Sequence, residues 1–154
     1  MKTKLLILVV CCGFFQGCSW VNRFFVVNTT GKPVTVEIKL NKNVTSFPIF
    51  HYRELYAYPC ENKKPEWGQQ KEILADTLED YSHFKVQLPA HTALEIGRLQ
   101  NDKYEKYDQY FINGRVFNLE QLLITSGGKE TKIVATTFDK YFSKENGEIF
   151  YFVK

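Results

Sequence analysis

Long apolar runs are scarce in this chain. The longest, Leu5 to Phe15, spans 11 residues, whereas a helix needs about 20 to cross a hydrocarbon core of roughly 30 Å. A permanent transmembrane helix is therefore disfavoured. Charge of one sign is scarce too, with 20 Lys plus Arg against 17 Asp plus Glu interleaved in stretches such as NDKYEKYDQ. Nucleic acid selects a concentrated basic face, so it is not an expected partner. Signatures of chemistry are also missing. His51, His83 and His91 form neither an H-E-x-x-H nor an H-x3-to-5-H spacing, so they read as strand or turn residues, with no metal ion or other cofactor implied. Asp76, Glu79 and Asp80 lack the D-x-[DN]-x-[DN]-G loop of a calcium site and read as a solvated face. SGGKE has the wrong spacing for a phosphate loop, and neither a G-x-S-x-G elbow nor a Cys/His signature surrounds Cys60. No catalytic set is apparent.

What is present begins with composition. At 44% hydrophobic and 24% charged residues over 154 positions, the chain has the profile of one folded domain and not of a disordered or fibrous protein. Its 13 Phe, 9 Tyr and 2 Trp lean towards strands, where aromatic side chains fit a pleated, half-buried surface.

The first 18 residues are ordered as an export signal: Lys2 and Lys4, the apolar run, then FQGC ending at Cys18. Gly17 followed by Cys18 resembles the lipobox at which bacterial lipoproteins are cleaved and their new N-terminal cysteine is acylated. Phe15 and Gln16 stand where the usual pattern has an aliphatic and a small residue, and that looseness resembles lipoproteins of the Bacteroidota. The resemblance implies a signal peptide over 1–17, lipidation at Cys18, a linker over 18–22 and a domain over 23–154. Ser19, in place of the aspartate that retains lipoproteins in the inner membrane, implies the outer membrane. SWVNR has no acidic patch, which implies the periplasmic side. Cys11 and Cys12 leave with the signal, and the mature charge falls to +1, with 18 basic against 17 acidic residues. If Cys18 is acylated, Cys60 is a free thiol best tolerated when buried; without acylation a Cys18 to Cys60 bridge is open to it.

The rest of the chain reads as seven or eight short strands at roughly ten-residue spacing, which points to a single antiparallel β-sandwich, or a small barrel, with one short helix. A strand over 24–28 and the alternating PVTVEIKL are expected to pair as a hairpin through Thr29 to Lys32. A third strand falls within 47–58, interrupted by Pro48, and 59–70 reads as an exposed loop. KEILADTLEDY is open between strand and helix. HFKVQL and TALEIGRL, joined by Pro89 and Ala90, form a second expected hairpin. QYFING reads as a short strand, and Asn118 with Gln121 as a capping-box helix start closed by Gly127 and Gly128. Asn146 and Gly147 predict a last hairpin, so that the chain ends on a strand. GKPVTVEIKL is also loosely similar to the β-sandwich outer-membrane lipoprotein of type VI secretion systems, over about ten residues, with no partner-binding residue carried over.

Tyrosine is the remaining singular feature. Tyr52, Tyr56 and Tyr58 share one face of an extended segment, and Tyr104, Tyr107 and Tyr110 share another stretch. Such rings serve as contact platforms for glycans or proteins, or else pack over strand faces with their hydroxyls at the rim. The reading is a lipid-anchored envelope protein with a non-catalytic binding or scaffolding role. Its partners are the membrane, through the acylated cysteine, and an envelope protein or glycan. The alternatives are a small secreted hydrolase with its site in a loop such as 59–70, recognisable by a cavity with paired acids, and an accessory subunit recruited through an edge strand.

Overall fold

The computed structural model describes residues 20–44, 46–51, 55–78 and 80–154. Cys18, Tyr52 and Glu79 lie outside the described residues. The protein is mainly β, with two sheets, one of them a curled half-barrel, and one short helix.

The strands are β1 (Val21–Asn28), β2 (Val34–Leu40), β3 (Tyr56–Glu61), β4 (Lys64–Pro65), β5 (Lys71–Glu72), β6 (Asp76–Thr77), β7 (His83–Leu88), β8 (Thr92–Gln100), β9 (Leu119–Ser126), β10 (Lys129–Val134), β11 (Ser143–Glu145) and β12 (Glu148–Val153). The helix, α1, is the single turn Phe138–Tyr141. The larger sheet runs β11-β12-β1-β8-β3-β4 with β5 beside β3, and the smaller runs β10-β9-β2-β7-β6. Pairing is antiparallel except between β1 and β12, which run parallel from Phe24 opposite Ile149 to Asn28 opposite Val153.

Alternation decides which faces meet. Val34, Val36, Ile38 and Leu40 of β2 point inward, with Thr35, Glu37 and Lys39 outward. In β1 the run from Phe24 to Val27 is buried throughout, as suits a strand covered on both faces. Phe24 and Val26 enter the main core between the sheets, whereas Phe25 and Val27 enter a second, smaller core on the outer side with Tyr58, Ala93 and Phe150. Phe138 of α1 plugs the main core, stacked on Phe142 at 3.9 Å and edge-on to Phe117 at 5.0 Å.

The strands foreseen over 24–28, 34–40, 83–88 and 92–99 are present, but both expected hairpins between them are absent. β1 pairs with β12 and β8, and β2 with β7 and β9. The connections at 29–33 and 89–91 therefore cross from one sheet to the other. Asn28 explains why. Fully buried, its amide nitrogen donates to the carbonyls of Lys32 (2.9 Å), Leu88 (3.2 Å) and Pro89 (2.8 Å), while its oxygen accepts from the Thr30 amide and hydroxyl. One side chain thus bonds backbone carbonyls of both crossings and ties them together.

Other expectations are corrected by equally local causes. The segment foreseen as a capping-box helix, 118–126, is strand β9. A bulge at Glu120, opposite the Lys39/Leu40 step, sets the buried Leu119 and Leu122 three residues apart and so imitates helical spacing. Gly127 and Gly128 (φ +55° and +79°) make the two-residue turn to β10 and not a helix end. Asn118 is no cap: its side chain accepts from the Phe50 amide (2.9 Å) and donates to the Phe50 carbonyl (3.0 Å), taking the place of a neighbouring strand. The short helix lies instead at Phe138–Tyr141. QYFING is not a strand, because Gln109 folds back on the backbone of Lys103, Glu105 and Lys106 and holds that segment as a coil. Within the third strand's expected span, Pro48 and Phe50 make isolated bridges and regular pairing starts at Tyr56. That strand then continues through Pro59 and Cys60 into the expected loop, which contains β4, a 3-10 turn over Trp67–Gln69 and a buried Pro65. KEILADTLEDY contributes two-residue strands, β5 and β6, and no helix. The Asn146-Gly147 hairpin between β11 and β12 is present, and the chain ends on β12.

Asn28→Ala removes the donor shared by three carbonyls, of which that of Lys32 keeps the Thr30 hydroxyl, and we expect a loss of about 2 kcal/mol, a fall in melting temperature of roughly 6 °C, read by calorimetry. Thr30→Val, which removes the hydroxyl shared by Asn28 and the Lys32 backbone but leaves the Asn28 amide in place, is expected to cost about 1 kcal/mol.

Candidate functional site

A cleft of about 660 Å³ lies over the outer side of the larger sheet, bordered by β1, β3, β8 and β12 and by the 62–70 excursion. A bulge in β8 builds its base. Phe24 faces Gly97 but Phe25 faces Glu95, so Ile96 is the extra residue. On a regular strand, residues three apart point to opposite faces. The bulge brings Glu95 and Arg98 to the same one, and Arg98 grips a Glu95 oxygen through Nε (2.8 Å) and Nη2 (2.7 Å). Gly97 is obligatory at this point, because a Cβ there would stand 2.8 Å from the Ile49 carbonyl and 2.7 Å from the Phe50 ring.

Glu95 is 3% exposed and its other oxygen accepts from the Tyr58 hydroxyl at 2.8 Å, with Arg23 Nε at 3.8 Å. Burial, and then the hydrogen bond to Glu95, push the Tyr58 hydroxyl far above the usual phenol range. Arg23 also reaches Glu148 through Nη1 (3.2 Å), and its backbone amide donates to the same carboxylate (3.1 Å). Burial raises the Glu148 carboxyl above the ordinary glutamate value, with Arg23 pulling the other way. The Arg23 guanidinium lies 4.9 Å over the Trp67 ring, which in turn sits edge-on to Phe25 and Tyr58. Arg23 Nε is buried and makes no hydrogen bond. The cleft is thus floored by rings and paired charges, with Trp67, Lys63 and Lys64 exposed along one wall.

Of the tyrosines singled out by sequence, Tyr56 and Tyr58 line this cleft. The second group does not join them. Tyr104 is buried in the main core with its hydroxyl on Asp139 (2.8 Å), and both burial and that bond push it far above the phenol range. Tyr107 packs on Phe117 and donates its backbone amide to Asp139, whereas Tyr110 is 87% exposed. The histidines are dispersed. His51 borders a small cavity beside Glu95 and Arg98, His83 contacts Glu37 at 2.7 Å, and His91 turns the corner before β8 at φ +52°. Asp80 is held by Lys42 and Ser82, which keep its carboxyl well below the usual range. Among the described residues no three His, Cys, Asp or Glu side chains converge as metal ligands. Among them, too, no helix is long and apolar enough to cross a membrane.

Arg23, Trp67, Glu95, Arg98 and Glu148 escaped the sequence reading. One signal was there: Glu95 interrupts the apolar run of TALEIG, and a charge inside a strand buried on both faces demands partners. The chain matches no family model, and neither curated proteins nor solved structures match it.

Cys60 is a free thiol, half-buried beside the second core, and burial pushes it up from 9.0 to about 11. The unfolded chain then releases this proton before the folded one, so stability falls as pH rises from about 9 to about 11. Cys60→Ser is expected to remove that component from denaturation curves, and alkylation of Cys60 at pH 8 is expected to run about a hundredfold slower than for an exposed thiol.

Proposed function

We propose that this chain is a lipoprotein of the bacterial cell envelope, anchored through an acylated Cys18, sorted to the outer membrane and facing the periplasm, and that it binds its ligand without transforming it. The cleft over β1, β3 and β8 is its binding site. The observation that carries this reading is the commitment to arginine of the two carboxylates shielded in and beneath the cleft floor, the remaining one, Glu145, being exposed at the rim. Glu95 is engaged by Arg98 and Tyr58, and Glu148 by Arg23, so neither is disposed as a free acid or base. Aromatic faces and cations are left to meet a ligand.

An acidic saccharide suits that surface best. Trp67 and Tyr56 offer aromatic surface to sugar C–H groups, and Lys63 and Lys64 meet carboxylates. The secreted-hydrolase alternative draws its support from Glu148, the carboxyl that burial raises, paired in the cleft with Glu95.

Two measurements test the reading. Intact mass and membrane partitioning of the native protein and of Cys18→Ala are expected to give an acylated, membrane-bound chain beginning at residue 18 and a soluble variant. A native protein that is soluble and unacylated would overturn the anchor. Titration with an oligogalacturonate is expected to show salt-sensitive binding that Trp67→Ala weakens about tenfold or more, with a neutral oligosaccharide bound more weakly. Release of new reducing ends, abolished by Glu148→Gln, would favour the hydrolase instead.

A further inference from the structure

The two ends of the sandwich differ in kind. β1 begins where β8 ends, with Val21 opposite Gln100, and β2 ends where β7 and β9 begin. Trp20, residues 41–44 and 46–48, residues 78 and 80–82, and the long 101–118 segment therefore all gather at one end. Hydrogen bonds tie them together: the Asn101 amide to the Trp20 carbonyl (2.9 Å), the Ile112 amide to Asp102 (2.7 Å), and the Val116 amide to the Phe47 carbonyl (3.0 Å). Seven of the ten exposed large apolar side chains among the described residues lie here, namely Trp20, Phe47, Leu78, Tyr81, Tyr110, Ile112 and Val116, with Ile112 82% exposed. The opposite end, formed by the turns at 29–33, 89–91 and 127–128, presents Thr, Gly, Lys, Pro and His.

We infer that this apolar end is a membrane-seating surface, and that its occupant is the interfacial layer of the bilayer in which Cys18 is anchored. The inference rests on the lipoprotein reading above. Only Ser19 separates Cys18 from Trp20, two chain steps with a reach of about 7 Å, so an acylated Cys18 brings this end, and no other, against the headgroups. Trp and Tyr are suited to that depth, their rings apolar and their N–H and O–H groups wet. The charges at this end are mostly paired among themselves, Lys42 with Asp80, Lys103 with Glu105 and Lys106 with Asp108. Seating therefore depends on apolar contact and is insensitive to salt. It leaves the cleft on the side wall of the sandwich, open to the periplasm along the membrane surface.

The test uses the full acylated protein carrying Trp67→Phe, so that Trp20 is its single tryptophan, in vesicles of zwitterionic lipid brominated high on the acyl chain. Trp20 emission is expected to shift to the blue and to be quenched about twofold or more, unchanged by raised salt. Tyr110→Asp combined with Ile112→Asp, at sites exposed enough to leave the fold intact, is expected to relieve much of that quenching while the acyl mass stays the same. Acyl mass with unquenched Trp20 overturns the inference, points to a protein on this end and leaves the anchor standing. Absence of acyl mass overturns both.

Discussion

The fold turns on the buried amide of Asn28. Two strand pairs that are adjacent in sequence, β1 with β2 and β7 with β8, are separated into opposite sheets, and each separation requires a short connection to pass over the end of the core. Such a crossing carries backbone carbonyls that neither sheet can satisfy. Asn28 serves both crossings from one position, donating to Lys32, Leu88 and Pro89 while its oxygen orders Thr30. Once both crossings are tied, β1 is free to receive β12 on one side and β8 on the other, and the first and last strands of the chain meet in parallel.

That central placement gives β1 two buried faces, and the second of them makes a site feasible. A strand facing solvent on its outer side would leave Glu95 and Arg23 as ordinary surface charges. Here the β3 excursion, with Pro65 and Trp67, covers the outer face, so the charges are drawn into a small apolar core and must satisfy one another. The bulge at Ile96 supplies the geometry for this. It costs a ladder position and in return places Glu95 beside Arg98 on one face, while Gly97 lets the 49–50 backbone approach from the other. The result is a set of rings and paired ions held by one another.

The same topology sorts the surface. Because the strand ends of both sheets coincide, long loops collect at the end where the chain enters the domain and tight turns at the other. Large apolar side chains on those loops are thereby concentrated where the N-terminal segment arrives, and the cleft is set on the side wall, away from both crossings. The apolar end and the side-wall cleft are two consequences of one arrangement of strands.

Much of this was legible in the residues alone. The period-two alternation of Val34 to Leu40 and of Phe84 to Leu88 specifies strands with one buried face, because side chains on extended backbone alternate by necessity. The Asn146-Gly147 turn is equally local, and the β class follows from such elements. The order of charge, apolar run, Gly and Cys over residues 2–18 is likewise a property of the sequence. Pairing was not legible, because a connection of a few residues fits a hairpin and a crossing equally well, and the choice between them lies with Asn28 and the carbonyls it meets. Bulges defeated periodicity for the same reason. At Glu120 and Ile96 an extra residue shifts the alternation, turning one strand into an apparent helix and hiding a salt bridge, and only the partner strand determines where that residue falls. The cleft and its floor join Arg23, Tyr58, Trp67, Glu95 and Glu148 from across the chain, and what unites them is the pairing of β12, β1, β8 and β3 in one sheet over a second core, a matter decided by tertiary packing alone.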